Sequence, residues 1–578
     1  GPQGTLFGAS AMGGAIRAVT NQPDPSGASH WLDVRYADIA HGGESIQVSA
    51  MLNQPVGDDS AVRLVAYRLD EDGFIDDILL DENDVNDETT QGLRLSLAGT
   101  VGDNLELTGQ INYQDRDGGA RNVVMTTGIP LLGVFTSGRY QVARRVRDQR
   151  DERALVASLA ADYQADYGTW TSVTSWSEFD VDLVLDVSNL VEFAVAGRGP
   201  GRYTQEVFTQ EIRLASPSDS RIGWLAGLFY MDQEVPRLDQ IIAPDLPQIL
   251  PLPPDFPDVI FDVRERSERR DIGLFGEVSW SLSARWTATV GARYYDIEKQ
   301  TNALTTALLR GVVDQQTRLA YSESGVTPKL VLDGDFGATN IYATAAKGFR
   351  AGGANAPFAV TICNAPQSYE SDDLWSYEIG SKSRWLDDRL SFNAAIYHID
   401  WSDAQQKVRL PDCNNIFIAN VGEVTSQGLE LEARMLLGER WDIHAAVGYT
   451  DSEIAEDSVV APEGTDIPLI PERSAALGAS YRFPLGGRFE GVVRGDLSYT
   501  GHSSSNLLPA LSVEQPSYTL FNLRFGIESD RWSGALFAEN VFDEQARYAT
   551  GLPTPGGAGG GFSTNVPRRI GIRVRYRF

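Results

Sequence analysis

Two cysteines, Cys363 and Cys413, are the only thiols in the 578-residue chain. Usage this sparse fits an oxidising compartment and a single bridge rather than redox chemistry. Spacing alone fixes neither their separation nor their geometry, so two free thiols or a metal pair stand as alternatives to a disulfide. The densest set of possible metal ligands lies at 70–88, with ten carboxylates: Asp70, Glu71, Asp72, Asp76, Asp77, Asp81, Glu82, Asp84, Asp87 and Glu88. Carboxylate oxygens suit Ca²⁺ or Mg²⁺, which could bridge lipopolysaccharide phosphates, but the spacing is not that of an EF-hand loop. A solvated acidic loop is the better reading.

The five histidines, His30, His41, His398, His444 and His502, show no HExxH or paired-ligand spacing, so neither a protein metal site nor a cofactor is expected. GGAGGG at 556–561 is followed by Phe562 rather than by Lys-Ser/Thr and a helix, and reads as a flexible loop rather than a phosphate cradle. No GxSxG elbow occurs, and nothing brings a nucleophile, a base and an orienting group together. An enzyme is the least supported class. With 79 acidic against 49 basic residues, the net charge of -30 argues against a nucleic-acid partner, which clustered Lys and Arg would have to hold.

The elements that would carry these groups are strands. In the last ten residues Ile570, Ile572, Val574, Tyr576 and Phe578 alternate with Arg569, Gly571, Arg573, Arg575 and Arg577. Period two puts the sets on opposite faces, one apolar with terminal aromatics as lipid requires, the other bearing four arginines that need water. The same alternation recurs at Leu93, Leu95, Leu97, at Leu429, Leu431, Ala433, and at Trp441, Ile443, Ala445, Val447. Sustained helical periodicity is almost absent, and no run of 18 apolar residues makes a membrane-crossing helix. Mean hydropathy of -0.23 does not argue against a barrel, whose strands are half polar.

Connections alternate as well. Short Gly/Asp/Asn/Ser turns are expected at 56–60, 101–104, 166–169, 216–221, 282–285, 334–339, 386–389, 437–440, 484–488 and 528–531, with long segments such as 70–88, 114–150, 180–203, 233–269 and 348–373 between them. One trimmed and one elaborated rim are the periplasmic and extracellular ends of an outer-membrane barrel. Ten short turns predict a transmembrane antiparallel all-β barrel of about 22 strands, wide enough to need a plug. A β-propeller or a row of sandwiches would not sort its connections this way.

Several motifs resemble those of the TonB-dependent receptors, plugged importers of the Gram-negative outer membrane. GPQGTLFGASAMGGAIRAVTNQP at 1–23 resembles the end of the family's plug domain, and AKGFRAGGAN at 346–355 a strand-and-loop motif of its barrel. LWSYEIGSKSRWLDDRLSFNAAIYHIDWSDAQ at 374–405 resembles its Glu-x-Gly-x-Lys hairpin; NVGEVTSQGLELEARM at 420–435, ENVFDEQARYA at 539–549 and the terminal RRIGIRVRYRF are similar in kind. The resemblance implies a plug remnant and linker at 1–28, a barrel at 29–578, and energised import of a scarce ligand, by default a ferric siderophore. Cobalamin, an oligosaccharide or an aromatic compound are alternatives, with a passive porin or a surface adhesin less favoured. It implies as partners the TonB-ExbB-ExbD complex, the barrel-assembly machinery that would read Tyr576 and Phe578, and the lipopolysaccharide and lipid of the outer membrane. The rest of the plug and the TonB box do not precede Gly1, and neither does a signal peptide, so further upstream sequence is expected. On this frame Cys363 and Cys413 fall in the two loops flanking the 374–405 hairpin, where a disulfide would tie neighbouring loops. Arg350, Tyr369 and Trp375 lie near the external rim, where stacking or anion pairing would suit a ligand but structural roles suit them equally.

Overall fold

The computed structural model describes residues 1–2, 4–125, 136, 138–188, 195–217, 220–356, 359–360, 365–409, 416–458, 461–509, 512–548 and 560–578. Strands dominate it. In chain order they are β1 (Ser29–Ile39), β2 (Glu44–Pro55), β3 (Ser60–Glu71), β4 (Glu88–Val101), β5 (Leu105–Gly118), β6 (Gln149–Ala165), β7 (Gly168–Asp186) and β8 (Arg198–Ala215). Then follow β9 (Ile222–Ile242), β10 (Val259–Ser281), β11 (Trp286–Ala307), β12 (Val312–Asp335), β13 (Thr339–Arg350), β14 (Asp372–Trp385) and β15 (Leu390–Ser402). The wall ends with β16 (Val424–Leu437), β17 (Trp441–Ile454), β18 (Arg473–Gly486), β19 (Phe489–Thr500), β20 (Tyr518–Glu528), β21 (Trp532–Glu539) and β22 (Arg569–Arg577). Each pairs antiparallel with its sequence neighbours, and β22 closes on β1 in the register Val34↔Val574, giving one 22-stranded sheet. Closure leaves no edge to expose peptide groups to hydrocarbon.

The expected short turns all fall between consecutive strands of this wall. The long segments begin later than the sequence suggests. Beyond the lipid zone the outward row of β10 changes from Trp280, Val278, Leu274 and Ile272 to Arg270, Glu268 and Arg266, yet pairing with β9 and β11 continues to Phe261. Loss of outward apolar residues therefore resembles a loop in sequence while the hydrogen-bonded ladder persists. β9 to β12 reach 21 to 24 residues. At about 3.4 Å per residue the longest runs about 80 Å and rises well above the membrane.

Outward residues such as Leu32, Val34, Ile572 and Leu536 are exposed as a continuous apolar surface, while the inward rows are polar. Seven of the 11 tryptophans, Trp170, Trp224, Trp280, Trp286, Trp385, Trp441 and Trp532, lie within a few residues of the short turns. They form the aromatic girdle at the periplasmic interface, where an amphipathic ring has apolar contact on one side and water on the other. Tyr576 sits in this girdle between Trp532 (ring centroids 4.4 Å) and Phe578 (4.8 Å), and the Phe578 backbone N–H donates to the His30 carbonyl.

The arginines of β22 do more than face water. Arg573 and Arg575 converge on the buried Asp33 of β1 at 3.0 and 2.7 Å, and Arg569 reaches Glu71 of β3 at 2.7 Å. Arg35, directly opposite Arg573 on the same face, takes Glu539 of β21 at 2.7 Å and lies over the Phe537 ring. Facing cations would otherwise repel across the closing seam. Replacing Asp33 by Asn should lower barrel stability by roughly 1–3 kcal/mol, read as a lower temperature for the gel shift from folded to unfolded barrel. Asp38→Asn, on the outer face of the same strand, should change it by less than about 0.5 kcal/mol.

Candidate ligand vestibule

The segment 1–28 enters the lumen before β1. A single helical turn, Gly4–Phe7, lies against β10 to β13, where the Thr5 hydroxyl donates to the Thr327 carbonyl (3.2 Å) and the Ser10 N–H to the Phe349 carbonyl (2.8 Å). Gly8 (φ +80°) packs on the buried Arg293, which lies between the rings of Phe229 and Phe275. The segment leaves past Gln110, which accepts from the Thr20 hydroxyl. Asn53 then holds its end, the Asn53 Nδ2 donating to the Asp24 and Gly27 carbonyls.

Above the membrane the described residues of the connections form small apolar cores, three of them larger than the rest. Phe74, Ile75, Val85, Val124, Tyr140, Val142 and Phe562 form one, joining three connections on both sides of the β1/β22 seam. Val195, Ala243, Leu246 and Ile260 form a second above β7 to β10. Ala359, Ala404, Val408, Phe417, Val421, Ile454, Ile467 and Leu507 form the third above β13 to β20. The acidic segment 70–88 is thus not a solvated loop. Its apolar residues anchor the first core, and Asp77, 2 % exposed, accepts the N–H groups of Leu79, Leu80 and Arg144. Burial nonetheless pushes the Asp77 carboxyl above its ordinary range. Among the described residues no cluster of three metal-ligating side chains occurs, there or elsewhere.

The same lobe is fastened across the seam by Asp543. Its carboxylate meets His41 Nε2 and Arg139, each at 2.9 Å, and accepts the Arg568 N–H at 3.0 Å. Burial raises its pKa, but these donors and cations outweigh burial and hold the carboxyl below its usual range. Within GGAGGG, Gly561 begins a short strand, Gly561–Ser563, paired with Val123–Met125; residues 556–559 lie outside the described set.

The third lobe is clamped to the wall through one carboxylate. Asp372 takes Arg350 at 2.5 Å, the Trp401 indole N–H at 3.0 Å and the Gln405 backbone N–H at 2.8 Å, and its side chain is wholly buried. Gln405 returns its amide N–H groups to the Ala351 and Glu370 carbonyls. Asn355 bonds both backbone groups of Ile418, and Asn420 both of Glu370. Arg350 is therefore committed to structure. Tyr369 pairs in register with Gly353 in a two-stranded rung beside it. Trp375 is on the outer face, stacked on Tyr377 at 6.1 Å, and does not face the vestibule. Cys363 and Cys413 belong to the two connections this clamp joins, and both lie outside the described residues.

Asp372, Gln405, Asn355 and Asn420 went unmarked in the sequence because their partners are backbone groups up to 63 residues away; the Asn of AKGFRAGGAN is the one visible hint. Asp372→Ala should loosen the 403–423 connection by about 1–3 kcal/mol, since it leaves the Trp401 and Gln405 N–H donors without their acceptor while Arg350 keeps the Gln405 carbonyl. Tryptic cleavage after Lys407 on intact outer membranes should then accelerate while the barrel's heat-induced gel shift stays in place.

Similarities to known proteins agree with this geometry. The family model described as "TonB dependent receptor-like, beta-barrel" matches residues 52–541. The pesticin receptor of Yersinia pestis is 22 % identical over the whole chain, which covers 80 % of that protein. The metal-pseudopaline receptor CntO of Pseudomonas aeruginosa is 25 % identical over 49 % of the chain, and the chain spans only 38 % of its length. In fold, the whole chain superposes on 84 % of the ferric yersiniabactin uptake receptor FyuA from Y. pestis (TM-score 0.83, 17 % identity). It also superposes on 85 % of the siderophore receptor PiuA from Acinetobacter baumannii (TM-score 0.77, 16 % identity). A closed 22-stranded wall, a lumen that receives the N-terminal segment and a family model matched over most of the chain together make this protein a member of the TonB-dependent receptor family, set in the bacterial outer membrane.

Proposed function

We propose that this chain is the translocation barrel of an energised importer for a ferric siderophore, driven through TonB-ExbB-ExbD, with residues 1–28 the end of its plug and the linker to the wall. The observation that carries the reading is the lumen itself: a 22-stranded wall whose inner face, from Thr327 to Phe349, seats the N-terminal segment. A barrel of this width needs such a filling to avoid being an open pore. The siderophore assignment draws support from the receptors of similar sequence and fold, several of which are named for siderophores or metal chelates. The external lobes would capture the chelate, and the plug would yield to force from the inner membrane.

Deletion of the gene from its source strain should abolish growth on at least one defined ferric siderophore under iron chelation, and loss of TonB should reproduce the defect. Normal growth of the deletion strain on every ferric siderophore would displace this cargo in favour of cobalamin, an oligosaccharide or an aromatic compound.

The terminal aromatic carries a second expectation. Tyr576 and Phe578 stand at the exposed end of the closing strand, where the barrel-assembly machinery would read them. Deleting Phe578 should lower the amount of heat-modifiable barrel in outer membranes without lowering precursor synthesis; equal amounts would leave Phe578 an interfacial anchor only.

A further inference from the structure

The chain has five lysines, and four are accounted for. Lys329 pairs with Glu277 and Lys347 with Asp373, each at 3.1 Å; Lys382 lies over the Tyr342 ring, and Lys407 is exposed on an external hairpin. Lys299 is different. It is half-buried on the lumen face of β11, above the lipid zone, and no carboxylate lies within ion-pairing distance among the described residues. Its neighbours across the sheet are Arg269 on β10 and Tyr321 on β12. Two cations directly opposite one another on one face destabilise a sheet.

The nearby carboxylates offset this only in part, and none of those described pairs with Lys299. Asp271 is taken by Arg269 at 3.1 Å. Glu323 accepts the Tyr321 and Tyr295 hydroxyls at 2.6 and 3.3 Å. Glu265 stays beyond ion-pairing distance, and burial pushes its carboxyl up, towards the neutral form. Burial and the Arg269 guanidinium both push the Lys299 ammonium below its ordinary range. The Arg269 Nε, also buried, has no acceptor. From above, Gly352 and Gly353 bring the loop backbone down onto the cluster. A Cβ on Gly353 would lie 3.2 Å from the Lys299 Nζ and 2.5 Å from the Tyr369 hydroxyl, and one on Gly352 2.8 Å from the Tyr321 hydroxyl.

We propose that Lys299, with Arg269 beside it and the phenols of Tyr321 and Tyr369 around it, is the anion-receiving point of the ligand site, and that the cargo is a ferric chelate left net negative by carboxylate or phenolate donors. An oxyanion arriving here supplies the acceptor that Arg269 Nε and Lys299 lack and cancels their repulsion. A lysine left without an ion pair opposite an arginine breaks a local rule of sheet stability, and such breaks are expected at functional sites. The inference rests on the importer reading and adds the charge class of its ligand.

Equilibrium dialysis of the full chain in detergent tests it with three radioiron probes: iron(III) citrate, iron(III) tris(2,3-dihydroxybenzoate) and a neutral iron(III) trihydroxamate. At least one anionic chelate should bind more tightly than the neutral one, with affinity falling as salt rises; which one binds separates carboxylate from phenolate donors. Lys299→Met should weaken that binding about tenfold or more, Lys299→Arg should largely restore it, and Lys407→Met should leave it unchanged. Should Lys299→Met fail to show the folded gel band, acetylation of the unsubstituted chain gives the same reading: a bound anionic chelate should shield Lys299 and not Lys407. Undiminished anionic binding by Lys299→Met, or no shielding, overturns the inference. Equal binding of the neutral probe would do so too while leaving the iron-chelate receptor standing, and failure of the folded chain to bind any probe overturns both.

Discussion

Hydrocarbon offers a peptide group no hydrogen-bonding partner, so a chain that crosses a membrane in strands must pair the last strand with the first. The pairing of β22 with β1 meets that demand, and much else follows from it. Closure fixes an inside and an outside for every residue. The outside takes Leu, Ile, Val and a periplasmic belt of tryptophans, and the inside takes the charges. At the seam those charges become the fastening, because Asp33 receives two arginines of β22 while Arg35 and Arg569 reach past it to the neighbouring strands.

Above the membrane the constraint changes, since water satisfies free peptide groups and strands no longer need to be lipid-compatible. β9 to β12 continue as a tall wall with charged outer rows. The remaining connections bury small apolar cores of their own and are pinned by single polar residues: Asp372 on one side of the mouth, Asp543 on the other. Both are carboxylates that collect several N–H donors, an arrangement that orders irregular backbone where no regular ladder exists.

The AKGFRAGGAN motif gains a physical reading from this arrangement. Phe349 stacks on Tyr295 at 3.7 Å and offers its carbonyl to the N-terminal segment. Arg350 closes the clamp on Asp372. Gly352 and Gly353 have no side chain because Tyr321, Tyr369 and Lys299 occupy the space, and Asn355 ties the loop to the next hairpin. A short run of residues thus serves the lumen filling, the external lobe and the lysine cluster at once.

Read alone, the sequence determined the barrel. The two-residue alternation, the succession of short turns and the terminal aromatic strand are local patterns set by the pleat and by lipid, and they yielded the all-β class, the 22 strands and the trimmed rim. Tertiary structure alone decided where strands end above the lipid, because ladder pairing there is independent of outward polarity. It alone showed that the acidic segment 70–88 packs instead of floating, since the apolar residues that bury it come from 120–142 and from Phe562. The partners of Asp33 and Asp372, and the want of one for Lys299 among the described residues, were equally hidden. Each is defined by which strands or loops stand side by side across hundreds or tens of residues, or by a carboxylate that fails to arrive, and no periodicity along a chain records either.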